Sequence, residues 1–161
     1  SVVLIKDELK KKNWIVEIYG EGKLKHALEK RIKKYKIEEI VKLKGKTDKP
    51  FEKMKKASIF LLTSDFEGFP NVLCEAMACG CVPISVDCNF GPKEIIKNKF
   101  NGILVKQKSK SISSEIYRLI NDKNKLKKMR MNTKIVFKRL DVSIIAKKWE
   151  ELFYKIKKNS L

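Results

Sequence analysis

The sequence predicts an α/β domain: a Rossmann-like parallel sheet of about five to six strands, with helices on both faces and a helical C-terminal tail. Two patterns carry this expectation. Short apolar runs and amphipathic stretches alternate five times with short connections, which favours parallel strands joined by right-handed crossovers. From about Ser109 the pattern is helical only, so 109–158 reads as a helical segment closing a single domain over 1–161. At 161 residues and 43% hydrophobic content the chain is long and apolar enough for one packed core.

The elements follow in order. Val3, Leu4 and Leu9 lie at helical spacing between about Val2 and Lys12. Trp14–Tyr19 is the first expected strand, stopped by Gly20-Glu21-Gly22. Leu24, Ala27, Leu28, Ile32 and Tyr35 repeat as one face of a helix with a Lys-rich outer side. Glu39–Leu43 is the second strand, ended by Gly45, and Asp48 is expected to cap a short helix with Pro50 in its first turn. Ser58–Thr63 is the third strand. A Gly- and Pro-containing loop then enters a short helix with Pro70 at its first position, Gly80 closing it and Val82–Val86 leaving as the fourth strand. Gly91-Pro92 starts another short helix, and Asn101-Gly102 turns the chain into Ile103–Val105. Three apolar stripes complete the tail: Ile112, Ile116, Leu119 and Ile120; Leu126, Met129 and Val136; then Ile144 to Ile156, which Asp141 can cap.

The formal charge is +19, with lysine supplying 34 of the 38 basic residues and only Arg31, Arg118, Arg130 and Arg139 as arginines. Directed recognition of bases or phosphates favours the bidentate arginine fork, so scattered lysine argues against a nucleic-acid-binding module. It fits a solvated surface and attraction to anionic lipid head groups. Cys74, Cys79, Cys81 and Cys88 form no C-x-x-C pair and lack a nearby His, so they read as reduced packing residues of a cytoplasmic chain, and no metal is expected. No apolar run approaches the ~20 residues of a membrane-spanning helix. The chain opens inside a helical pattern without Met, and reads as a piece of a longer protein.

Three constellations carry chemistry. Gly20-x-Gly22 after a strand mimics the start of a dinucleotide fingerprint. Lys25 stands where its third Gly belongs and no acid follows the next strand, so a tight turn admitting a ligand to the backbone fits better. Glu67 and Glu75 resemble a glycosidase pair in type, yet one loop and its own helix carry both, whereas hydrolysis places two carboxylates across a bond. Between them, amides near Pro70 to Leu73 at a helix start favour an anion, above all phosphate. Carboxylates on either side of a phosphate would repel it unless they accept hydrogen bonds from hydroxyls. A sugar and a ribose flanking a diphosphate meet that condition.

Glu67-Gly68-Phe69-Pro70-Asn71 followed by Glu75-Ala76-Met77-Ala78-Cys79-Gly80 closely resembles the E-x7-E signature of the retaining family-four (group 1) glycosyltransferases. Val82–Ser85, Gly91-Pro92-x-Glu94-Ile95-Ile96 and Asn101–Val105 continue that pattern in order, and Ile18–Gly22 resembles its strand and G-x-G turn. The resemblance implies the C-terminal, donor-binding half of a two-domain GT-B enzyme. It implies that Glu67 faces the donor sugar and acts in catalysis. Gly68, Phe69, Pro70, Asn71, Val72 and Leu73 would contact sugar hydroxyls and diphosphate, and Glu75 the ribose. Gly20, Gly22, Lys46, Thr47 and Gly91 would complete the donor rim, Lys46 and Thr47 against the base. The implied donor is a nucleoside-diphosphate sugar, UDP-linked first and GDP-linked second, used without a metal or prosthetic group. The implied partners are an N-terminal acceptor domain and a glycan or lipid-linked acceptor of the cell envelope, with peripheral contact to an anionic membrane. The family's diphosphate-neutralising Arg and Lys would precede Ser1, so the isolated domain is expected to be inactive. A non-catalytic nucleotide-sugar-binding module is the first alternative, and a basic nucleic-acid-binding domain the second.

Overall fold

The computed structural model describes residues 1–159 and contains five parallel strands flanked by helices. A 3₁₀ turn (Val2–Ile5) and α1 (Lys6–Lys11) precede β1 (Val16–Tyr19), which α2 (Lys25–Lys34) links to β2 (Val41–Gly45). Then follow α3 (Pro50–Lys56), β3 (Ile59–Leu62), α4 (Asn71–Ala78), β4 (Val82–Val86), α5 (Pro92–Ile95) and β5 (Ile103–Val105). Four further helices end the described chain: α6 (Ser109–Asn121), α7 (Lys123–Thr133), α8 (Ile135–Leu140) and α9 (Val142–Asn159).

The strands do not form the single ladder expected. They divide into a two-stranded sheet, β1-β2, and a three-stranded sheet in the order β3-β4-β5. Both sheets nevertheless feed one apolar cluster. Val41, Val82, Ile84, Val86, Ile103 and Val105 meet Ile112, Ile116, Leu119 and Ile120 of α6 there, with Val16, Ile59 and Leu61 packed against it. The opposite face of the three-stranded sheet has its own cluster, in which Leu62, Phe60 and Leu104 pack with Leu73 and Met77 of α4, Ile95 of α5 and Val136 of α8. Alternate residues of β3 and β5 thus enter different clusters, as the two-residue side-chain period requires of a sheet covered on both faces.

Several local expectations shift. Pro70 is the residue before α4 rather than its first member, because its ψ of 85° is outside the helical range. The turn before α3 is closed by Thr47, whose hydroxyl Oγ1 accepts the Lys49 N–H at 3.1 Å, instead of by Asp48. The stripe holding Leu126, Met129 and Val136 is broken between α7 and α8, where the Thr133 hydroxyl donates back to the Arg130 carbonyl at 2.8 Å, a bond that bends helices. Asp141 does cap α9: its Oδ1 accepts the Ser143 N–H at 2.9 Å. Hydrogen bonds from Ser143 hold the Asp141 carboxyl below the usual range.

Candidate functional site

The loops that matter leave the C-terminal ends of the strands, where parallel α/β sheets place their ligands. After β3 the chain runs through Glu67, half-buried, to α4, which carries Glu75, also half-buried, on its second turn. The helix is anchored beneath by Leu73, Ala76 and Met77, none of which is exposed. At its far end Gly80 takes a φ of +87°, and the buried Cys81 thiol donates to the Met54 carbonyl. Burial pushes that thiol up to about 11.

The position of the Glu67 loop is set from the side by Gly91, after β4. Gly91 has φ +86°, and a Cβ there would lie 2.5 Å from Pro70 Cδ and 2.6 Å from the Gly68 carbonyl oxygen. Only glycine combines this conformation with so close an approach. The loops after β3 and β4 therefore meet backbone to backbone. Within the α4 entry, Asn71 N–H donates to the Phe69 carbonyl and Leu73 N–H to Pro70, each at 2.9 Å, so the turn is pre-formed. A helix start carries partial positive charge, and here it lies between two carboxylates suited to accepting hydroxyl hydrogen bonds.

The other candidates form a second group after β1 and β2. Gly20, at φ +133°, donates its N–H to the Gly45 carbonyl at 2.8 Å and so ties its turn to the one that leads into Lys46 and Thr47. Gly22 and Lys46 are exposed, and the Thr47 hydroxyl is engaged with Lys49. Just before this turn, the Tyr19 hydroxyl donates to Glu17 at 2.8 Å, holding that carboxyl below its usual range, with Lys44 adding to the effect. The structure thus brings Gly91 to Glu67–Glu75, and Gly20 to Lys46 and Thr47. Among the described residues, no strand pairing joins the two groups.

Two features escaped sequence reasoning. Phe66 and Phe90, 71% and 60% exposed, lie with Phe69 on the loops that follow β3 and β4. Their only sequence signal is bulky apolar residues in loops that no alternation accounts for. Second, no Lys or Arg occurs between Lys56 and Lys93, so the Glu67–Glu75 segment is an acidic island in a +19 chain. Two surface cavities lie elsewhere. One, of about 530 Å³, is lined by the end of α4 and by Lys123, Lys127, Arg130 and Lys134. The other, of about 310 Å³, lies between α2 and β2.

A parallel α/β domain whose loops present a glycine-held carboxylate and a second one on the following helix belongs to a recognisable class. The family model of the group 1 glycosyl transferases matches residues 2–136, and the chain belongs to that family. It matches the C-terminal portion of GT-B enzymes. It is 35% identical over 115 residues to N-acetylgalactosamine-N,N'-diacetylbacillosaminyl-diphospho-undecaprenol 4-alpha-N-acetylgalactosaminyltransferase of Campylobacter jejuni, covering 71% of this chain and 32% of that relative. A mutant of S. aureus TarM in complex with Fondaparinux, alpha-GlcNAc-glycerol and UDP superposes with a TM-score of 0.82 at 27% identity, over 94% of this chain and 32% of its own. Anabaena HepE in complex with UDP shares the fold, with a TM-score of 0.83 at 23% identity over 95% of this chain and 44% of its own. The chain thus spans about a third of the length of the curated relative and of TarM.

Proposed function

We propose that this chain is the donor-binding half of a retaining glycosyltransferase that takes its sugar from a nucleoside diphosphate, UDP first. Glu67 lies toward the sugar, the start of α4 toward the diphosphate, and Glu75 toward the ribose hydroxyls. The carrying observation is the Gly91 contact, which fixes the Gly68–Pro70 backbone between the two carboxylates. Family membership and the UDP held by TarM support the reading. The acidic island carries no cation for the departing diphosphate, so neutralising that charge falls to residues outside 57–92. The acceptor is a lipid-linked or cell-envelope saccharide, the class named for the Campylobacter relative. A +19 surface is drawn to the anionic membrane where such acceptors reside, and free cysteines suit the cytoplasmic side.

The test is a calorimetric titration of UDP, GDP and their glucose and N-acetylhexosamine conjugates. Glu75→Ala weakens UDP and UDP-sugar alike by roughly tenfold or more, as loss of a charge-assisted hydrogen bond costs ~1.5–3 kcal/mol. Glu67→Ala weakens mainly the sugar conjugate. Equal losses from both variants for bare UDP would overturn the assignment.

A further inference from the structure

The two ends of α4 face opposite chemistry. The helix starts at Asn71, next to the Glu67 loop, and ends at Ala78, while β4 begins at Val82. Cys79 and Gly80 therefore stand where the strands begin, at the end of the sheet away from Glu67. The eight residues of α4 separate the two ends by about 12 Å. α7 packs against α4 and β4 here. The cavity of about 530 Å³ is lined by Lys123, Lys127, Arg130 and Lys134, with Leu126 and Met131 and the α4 end, and by no acidic residue.

These four cations are not scattered. Their spacing of four, three and four residues puts them on one helical face, beside the face that buries Leu126, Met129 and Thr133. Like charges at such spacings repel and destabilise a helix. Nothing on α7 or α8 offsets that repulsion, because 123–140 holds eight basic residues and no acidic one. Asp122, just before the run, is turned onto the α7 backbone, where its Oδ1 accepts the Lys125 N–H at 2.9 Å. Among the described residues none of the four forms an ion pair, whereas Lys10, Lys44 and Lys93 each meet a carboxylate. Arg130 is half-buried against Gly80, its Nη2 3.7 Å from where a Cβ would stand. Carbonyls at a helix C-terminus attract a cation, which places the guanidinium there. One seated guanidinium among three exposed ammonium groups is a donor set suited to phosphate oxygens.

We propose that this cavity is a second anion site, which takes the phosphate group of a soluble phosphate compound or of an anionic lipid head group. A group with two or more negative charges matches the four cations better than a single carboxylate does. Its binding relieves the repulsion that the free α7 face carries. The site is distinct from the Glu67–Glu75 group and does not rest on the donor assignment.

The test uses the full chain at ~0.15 M salt. One arm titrates inorganic pyrophosphate by calorimetry, and the other sediments phosphatidylglycerol vesicles against phosphatidylcholine vesicles. Lys123→Gln/Lys127→Gln/Lys134→Gln removes three charges from the α7 face. Lys25→Gln/Lys30→Gln/Lys34→Gln removes three from exposed positions of α2 and leaves the same net charge. The α7 variant is expected to weaken binding by about tenfold, the loss of three exposed ion pairs, while the α2 variant stays close to wild type. Loss for pyrophosphate assigns a soluble phosphate compound; loss for phosphatidylglycerol vesicles alone assigns a lipid head group. Lys127→Glu, a single reversal, is expected to weaken the same probe and to melt no lower than wild type, since repulsion along α7 falls. Equal losses from the α7 and α2 variants overturn the proposal, because net charge then accounts for the attraction. Wild type that binds neither probe overturns it, as does loss confined to a single-stranded DNA oligonucleotide, which assigns the face to nucleic acid. This readout needs no nucleotide-sugar, so its failure is separate from failure of the donor assignment.

Discussion

β4 and β1 are strands of similar apolar character placed in opposite circumstances. Val82–Val86 lies between two neighbours, with α4 and α7 packed on it and every residue buried. Val16–Tyr19 has one neighbour and leaves its two middle residues, Glu17 and Ile18, exposed. The same contrast separates α6, whose Ile112, Ile116, Leu119 and Ile120 are buried, from α9, whose Trp149, Leu152, Phe153 and Ile156 are all exposed. An amphipathic pattern states that a face needs covering; it does not supply the cover. The β3–β5 half, with α4 and α6, is a finished core that presents Glu67 and Glu75. The β1–β2 sheet and α9 leave apolar side chains such as Ile18, Trp149 and Phe153 exposed.

Four measurements would break or sharpen that contrast. Ile84→Ala empties a fully buried position of β4 and should cost about 2–5 kcal/mol in urea unfolding. A smaller loss would mean that the finished half is looser than its packing indicates. Gly91→Ala should destabilise by about 1–3 kcal/mol from its positive φ alone, and should weaken UDP-sugar binding further by displacing the Gly68–Pro70 backbone. Unchanged binding in a folded variant would remove Gly91 from the site. Ile18→Ala should change stability by about 0.5 kcal/mol or less, as exposed positions do; a core-sized loss would show that β1 is covered in solution.

The smallest effect is local and depends on pH. Hydrogen bonds from Ser143 depress the Asp141 carboxyl, so its contribution to α9 is present above the ordinary carboxylate range and disappears as pH falls through the depressed value. Circular dichroism should therefore show helix lost from the wild-type chain at acid pH. In Asp141→Asn that portion of the loss should be missing, and identical acid curves would discount the cap.

Much of this was legible in the residues. The strand runs Val82–Val86 and Ile103–Val105 were readable because buried parallel strands are continuous apolar segments. The α4 unit was readable because Pro70 and Gly80 bracket it with strong backbone preferences. Glu67 and Glu75 could be assigned together because short-range spacing on a loop and its helix survives folding almost unchanged. Gly91 could be named from its motif, but not as the clamp on Pro70, because sequence holds no distance between two loops. The exposure of Phe66 and Phe90 was not legible because residue type alone does not say whether an apolar side chain finds cover.

By itself, then, the sequence determined periodicity, turn chemistry and family, since these depend on a residue and its near neighbours. Which strands pair, which amphipathic faces find a partner, and which loops touch were decided only by the tertiary structure. Those outcomes depend on long-range closure, and each ladder or packed face requires a partner to be physically present. The divided sheet shows the difference: β1 and β3 are each written in the chain, while the division between their sheets becomes visible only when the strands are laid side by side.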